Sequence, residues 1–193
     1  IVGVGLIGGS LGLAWKRRST AARIIGISRP ATITQATELG AIDDGGDYGD
    51  IDELVPQADV VILTTPIARA LELLPIVALA ATPGTVISDV GSTKAAICRQ
   101  AEKSMPDDVV FIGGHPMAGS EQHGVAASDP YLFENAIYAL TPSANTPATK
   151  LTDLNRIVSA LGSRVIVLDP QIHDRIAAAV SHLPQLLAVA LVE

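Results

Sequence analysis

The chain has 193 residues, 48% hydrophobic but only 3% aromatic, with a net charge of −7 and one cysteine. That length suits one full domain and the beginning of another, around a core of Ala, Val, Ile and Leu. The negative balance argues against a nucleic-acid surface. The lone Cys98 excludes an internal disulfide and fits a reducing, cytoplasmic setting, and no apolar run reads as long enough to span a membrane.

The chain opens inside a short apolar strand that runs into Gly3-x-Gly5-x-x-Gly8; a helical pattern follows from Gly9 to Arg18. In a dinucleotide-binding loop the first glycine makes the tight turn, the second leaves room for pyrophosphate, and the third lets the helix pack on the strand. Free N–H groups at the helix start, around Leu6 and Ile7, then hold phosphate. The alternative is a glycine-rich turn that merely closes a strand–helix corner. Arg23 to Ile27 reads as a second strand and so places the loop in a βαβ unit. An NAD site usually carries a carboxylate at the end of that strand. Here Ser28 and Arg29 stand instead, and a hydroxyl with a guanidinium suits a 2′-phosphate, which favours NADP and leaves NAD possible.

A helix is expected over Thr32 to Leu39, then a polar connection, Gly40 to Gly49, outside the core. Strands over Asp59–Thr65, Thr85–Asp89 and Val109–Ile112 alternate with helices over Ala68–Ala80, irregular at Pro75, and Thr93–Lys103. This βα order predicts an α/β fold with a doubly wound parallel (Rossmann-type) sheet. Gly113 to Gly124 reads as a loop, Ala136 to Thr141 as a strand, and Pro147 to Leu161 as a helix with Thr146 as N-cap. After a strand at Arg164 to Leu168, Asp169-Pro170 starts a long helix that Pro184 should kink. The chain starts without methionine and stops at Glu193 inside a helical pattern, so both ends are expected to be cut.

Ligands of doubly wound sheets lie outside the carboxyl ends of the strands. Thr64, Thr65, Pro66, Ile67, Val90 and Gly91 are therefore expected to line the cofactor with the glycine loop. His115 is the acid–base candidate: it follows a buried strand, Gly and Pro flank it, and histidine titrates near neutrality. Its bland reading is a loop histidine bonded to its own turn. Ser92 presents a hydroxyl to the same mouth or caps a helix. Glu121 either orients a substrate group or is a surface charge, and Lys94 either serves an anion or lies in solvent. His182 sits on an apolar helix face near Pro184, where a contact to a ligand competes with a structural role. His173 and Asp174 read as a solvated first turn, His123 has no role, and the histidines lack metal-ligand spacing.

GVGLIGGS at Gly3 to Ser10, SDVGSTK at Ser88 to Lys94, GGHPMAGSE at Gly113 to Glu121 and SHLPQ at Ser181 to Gln185 together resemble the prephenate/arogenate dehydrogenase family of tyrosine biosynthesis. GISRP at Gly26 to Pro30 resembles its NADP-using, arogenate-leaning members. The resemblance implies oxidation of the ring C4 alcohol of prephenate or arogenate, with loss of CO2 and hydride transfer to nicotinamide. It implies that His115 takes the hydroxyl proton, that Ser92 helps to hold that hydroxyl, that His182 contacts substrate, and that Ser120 and Glu121 line the pocket. It also implies residues 1–168 as the dinucleotide-binding domain and 169–193 as the start of a helical domain that forms a homodimer and supplies a substrate-binding arginine. A β-hydroxyacid dehydrogenase, which uses a helical lysine, and a non-catalytic NADP-binding regulatory domain are the other readings.

Overall fold

The computed structural model describes residues 1–19 and 23–192; Glu193, the end of the expected helical segment, lies outside the described residues. The strands are β1 (Ile25–Ile27), β2 (Asp44–Gly46), β3 (Val60–Leu63), β4 (Val86–Asp89), β5 (Val110–Pro116), β6 (Ile137–Pro142) and β7 (Arg164–Val167). The helices are α1 (Leu6–Arg17), α2 (Pro30–Glu38), α3 (Ile51–Leu54), α4 (Ile67–Ala80), α5 (Ala95–Ser104), α6 (Ala148–Ser159), α7 (Pro170–Ala177) and α8 (Leu183–Val192).

The opening segment forms the middle of the sheet. Val2 bridges in parallel to Ile27 on one side and Leu63 on the other. Its N–H reaches the Ile62 carbonyl at 2.8 Å, and the Gly3 N–H reaches that of Ile27 at 2.7 Å. β1 and β2 continue the sheet on one side, and β3-β4-β5-β6-β7 on the other. Strand residues alternate between two cores, as the two-residue period requires. Ile62, Val86 and Ile112 join Leu11, Trp15, Leu154 and Val158 from α1 and α6. Val61, Leu63, Ile87 and Phe111 join Leu73, Leu74, Val77, Ile97 and Ala101 from α4 and α5. The sheet is thus buried on both faces, which accounts for its runs of Val and Ile.

Four details depart from the expectation. The sheet is mainly parallel, but β6 runs antiparallel to β5, because residues 117–136 return the chain beside the strand it left. β5 extends through Gly113, Gly114, His115 and Pro116, so the segment expected to be a loop begins on a strand. The polar 40–49 connection contains β2 and buries Ala41 and Ile42, because backbone pairing to β1 needs no apolar side chains. Thr146 does not cap α6: Pro147 is the N-cap, and the Thr146 hydroxyl instead accepts from the Ser143 N–H at 2.9 Å.

Near Pro184 the helix widens into a π-turn over Ala178–His182, where the Leu183 N–H reaches the Ala178 carbonyl five residues back. Such a turn relieves the clash and the lost donor that proline brings. Pro170–Val192 then forms 23 helical residues, long and apolar enough to cross a membrane, contrary to the sequence reading. Its apolar residues are interrupted by the π-turn and by Asp174, Arg175 and His182, so no unbroken apolar run announces it.

Candidate active site

The glycine loop, the ends of β3 and β4, and β5 at His115 share the carboxyl edge of the sheet through the registers Val2–Leu63, Leu63–Asp89 and Ser88–Ile112. Gly3 turns with φ +96°, a conformation that L residues seldom adopt. A Cβ on Gly8 would lie 2.7 Å from the Gly3 carbonyl and from the Thr64 hydroxyl, which itself donates to that carbonyl at 2.5 Å. By contrast, a Cβ on Gly5 would meet nothing within 4 Å. Gly5 is also the N-cap of α1, and no side chain caps that end. An open cradle at an uncapped helix N-terminus is what a pyrophosphate needs, so these residues fit a dinucleotide.

Around the loop, Thr65 is buried with its hydroxyl lacking a partner among the described residues, and a Cβ on Gly91 would lie 3.2 Å from Ile67, so the ends of β3 and β4 adjoin here. The Val90 N–H reaches the Leu63 carbonyl at 3.1 Å. Ser28 is buried at the end of β1, with its N–H on the Gly46 carbonyl at 3.1 Å. Arg29 is exposed at the start of α2 and has no ion-pair partner among the described residues.

His115 sits on β5 opposite Ala139 of β6, half-buried. Burial first, and then its neighbours His173, Lys94 and His182, push its pKa down to about 4, so it is neutral at physiological pH. The backbone before it is clamped. Asp89 accepts the Gly114 N–H at 3.1 Å and the Gly91 N–H at 2.8 Å, while Lys94 donates to the Gly114 carbonyl at 2.7 Å and forms a short ion pair with Asp89. Lys94 is 0% exposed. It therefore does not lie in solvent: the anion it meets is Asp89, and their ion pair fixes the end of β4 against β5.

His115 is not bonded to its own turn. Its Nδ1 lies 2.9 Å from Nε2 of His173, whose own Nδ1 lies 2.9 Å from the Asp174 carboxylate. Asp174 also accepts the N–H groups of Lys94 at 2.6 Å and Ala95 at 2.9 Å. His173 is 0% exposed, so the reading of these two as a solvated turn is overturned: α7 packs on α5 and draws them inward. Because Asp174 supplies the cap of α5, Ser92 does not cap that helix; it stands exposed at the mouth. His182, half-buried on the π-turn, contributes to the field at His115. Ser120 and Glu121 are exposed beyond β5 and touch each other at 3.4 Å. Clefts of about 670 Å³ beside Cys98 and Thr141 and about 510 Å³ beneath Val2 and Trp15 contain neither the glycine loop nor His115.

Residues 11–167 match the family described as prephenate dehydrogenase, nucleotide-binding domain. A prephenate dehydrogenase of Bacillus subtilis is 38% identical over 100% of this chain and 52% of its own length, so the chain spans about half of that relative. The crystal structure of a prephenate dehydrogenase from Aquifex aeolicus, in complex with hydroxyphenyl propionate and NAD+, superposes with a TM-score of 0.91 at 32% identity, covering 99% of this chain and 66% of that one. The Synechocystis arogenate dehydrogenase gives a TM-score of 0.89 at 35% identity over 99% and 66%.

Proposed function

The chain belongs to the prephenate dehydrogenase family, and from that premise we propose that it forms the nucleotide-binding part of an enzyme that oxidatively decarboxylates arogenate or prephenate. The observation that carries this reading is a neutral, half-buried His115 on the sheet edge that also holds the open Gly5 cradle. Residues 1–168 are assigned to dinucleotide binding and 169–193 to the start of a helical domain through which the protein forms a cytoplasmic homodimer.

Gly3, Gly5, Leu6, Ile7 and Gly8 would hold the pyrophosphate, and Thr64, Thr65, Pro66, Ile67, Val90 and Gly91 the groups beyond it. Ser28 and Arg29 would take the adenosine end, with Arg29 favouring a 2′-phosphate. A bound nicotinamide supplies the hydride acceptor. His115 accepts the proton of the ring hydroxyl, which raises electron density on the carbon as its hydride departs. Ser92 steadies that hydroxyl, while His182, Ser120 and Glu121 contact the remainder of the substrate. The β-hydroxyacid alternative requires a free lysine base, and Lys94 is buried in an ion pair.

Turnover of the full-length protein tests this reading. Reduced-cofactor absorbance should rise with prephenate or arogenate, faster with NADP than with NAD. Activity on 3-hydroxy acids alone would overturn it.

A further inference from the structure

The bonds behind His115 determine which of its nitrogens carries a proton. Asp174 has three donors directed at it: the N–H groups of Lys94 and Ala95 and Nδ1 of His173. Burial alone would raise its pKa, but these bonds hold the carboxyl below its ordinary value, so it is ionised. An ionised carboxylate only accepts, so Nδ1 of His173 bears a proton. In neutral His173, Nε2 is then a lone pair. The 2.9 Å contact between that Nε2 and Nδ1 of His115 requires one proton, and only His115 can supply it. His115 Nε2 is left bare.

We infer that His173 and Asp174 are positioning residues that hold His115 as its Nδ1–H tautomer, with Nε2 ready to accept a proton, and that they draw off the charge that follows. This inference rests on the dehydrogenase reading for the source of that proton. The substrate O–H gives its proton to His115 Nε2 as the carbon's hydride leaves for nicotinamide. The Nδ1 proton of His115 then passes to Nε2 of His173. His115 ends neutral, protonated on Nε2, and the single positive charge lies on His173 beside the Asp174 carboxylate. The groups facing His115 favour this transfer. Lys94 and His182 both oppose a cation on His115; Lys94 is itself paired with Asp89, whereas His173 has its own anion. His173 has no exposed surface, so water does not compete for its ring.

The test is ¹⁵N-histidine NMR of the full-length enzyme, with kinetics of two variants. Wild-type His115 should show a protonated Nδ1 and a bare Nε2. His173→Gln can place an amide oxygen where Nε2 stood, so the tautomer should persist while kcat falls about tenfold, because the charge can no longer move on. His173→Phe removes the acceptor. His115 should shift toward the Nε2–H form and kcat should fall on the order of 10²-fold, with KM and cofactor affinity nearly unchanged. A wild-type His115 protonated on Nε2 would overturn the inference, and so would a folded His173→Phe enzyme with unchanged kcat. If that variant fails to fold, the wild-type spectrum and the Gln variant still decide. No turnover of prephenate or arogenate beside a bare Nε2 would overturn the substrate reading alone and leave the tautomer assignment in place.

Discussion

His115, the proposed base, is held well below the ordinary range of a histidine by its burial. Its pKa, pushed from 6.5 to about 4, predicts a kcat/KM that rises with pH through about 4 and is flat above. His115→Asn should lower kcat by about 10²–10⁴-fold and abolish that rise, while cofactor affinity holds. The same shift couples to folding. The unfolded chain takes the proton first, so the stability gained by keeping His115 neutral is full above about pH 6.5 and is lost as pH falls toward 4. Denaturant midpoints of wild type should therefore decline more steeply across that window than those of His115→Asn. At the adenosine end, Arg29→Ala should weaken NADP binding by roughly 1.5–3 kcal/mol and leave NAD unchanged, which titration calorimetry with each cofactor would measure. The place of His115 at the end of a buried strand was legible in the sequence, because Gly and Pro and an apolar run before them mark it. His173 was not: a His-Asp pair just after a Pro-initiated helix start has the composition of a solvated turn, and only the packing of α7 on α5 buries it.

Among the elements, the glycine loop separates folding from binding. A Cβ at Gly5 would point into open space, whereas one at Gly8 would meet the Gly3 carbonyl and the Thr64 hydroxyl at 2.7 Å. Gly5→Val should therefore keep its Tm and lose cofactor affinity. Gly8→Val should lose roughly 1–3 kcal/mol of stability, the usual cost of overpacking. Thermal melts and cofactor titration of both would show whether the two roles divide in this way. The β4–β5 clamp predicts a larger effect. Lys94→Met leaves the Asp89 carboxylate buried without its cation, and losing one partner of such a pair costs about 3–5 kcal/mol; a melting temperature unchanged in that variant would contradict the clamp. The alternation of strands and helices was readable because buried parallel strands are written in unbroken Val and Ile. β2 escaped notice because Asp-Gly-Gly pairs through its backbone alone. The run of β5 through Gly113 and Gly114 escaped notice because glycine in a sequence signals a turn before it signals a close approach to β6.

At the scale of the whole molecule, apolar surface is unevenly placed. The sheet is covered on both faces, yet Leu183, Leu186, Leu187 and Leu191 of the last helix all stand exposed. Apolar area of this kind drives association. Replacing Leu187 and Leu191 with Glu should reduce self-association of the chain in sedimentation while cofactor affinity stays the same; a dimer that survived would place its contact elsewhere. The direction in which those leucines face depends on the π-turn at Ala178–His182. A π-turn takes one extra residue into about the same rotation, so every residue after it lags by roughly 100° the place it would hold in an unbroken α-helix. The turn therefore acts as a gear tooth between α7, whose phase is locked to α5 by Asp174, and α8, whose phase sets where any neighbour must stand. Winding those five residues as ordinary α-helix would leave the length, composition and caps of the helix unchanged, yet would swing its leucine stripe by more than a quarter of a turn.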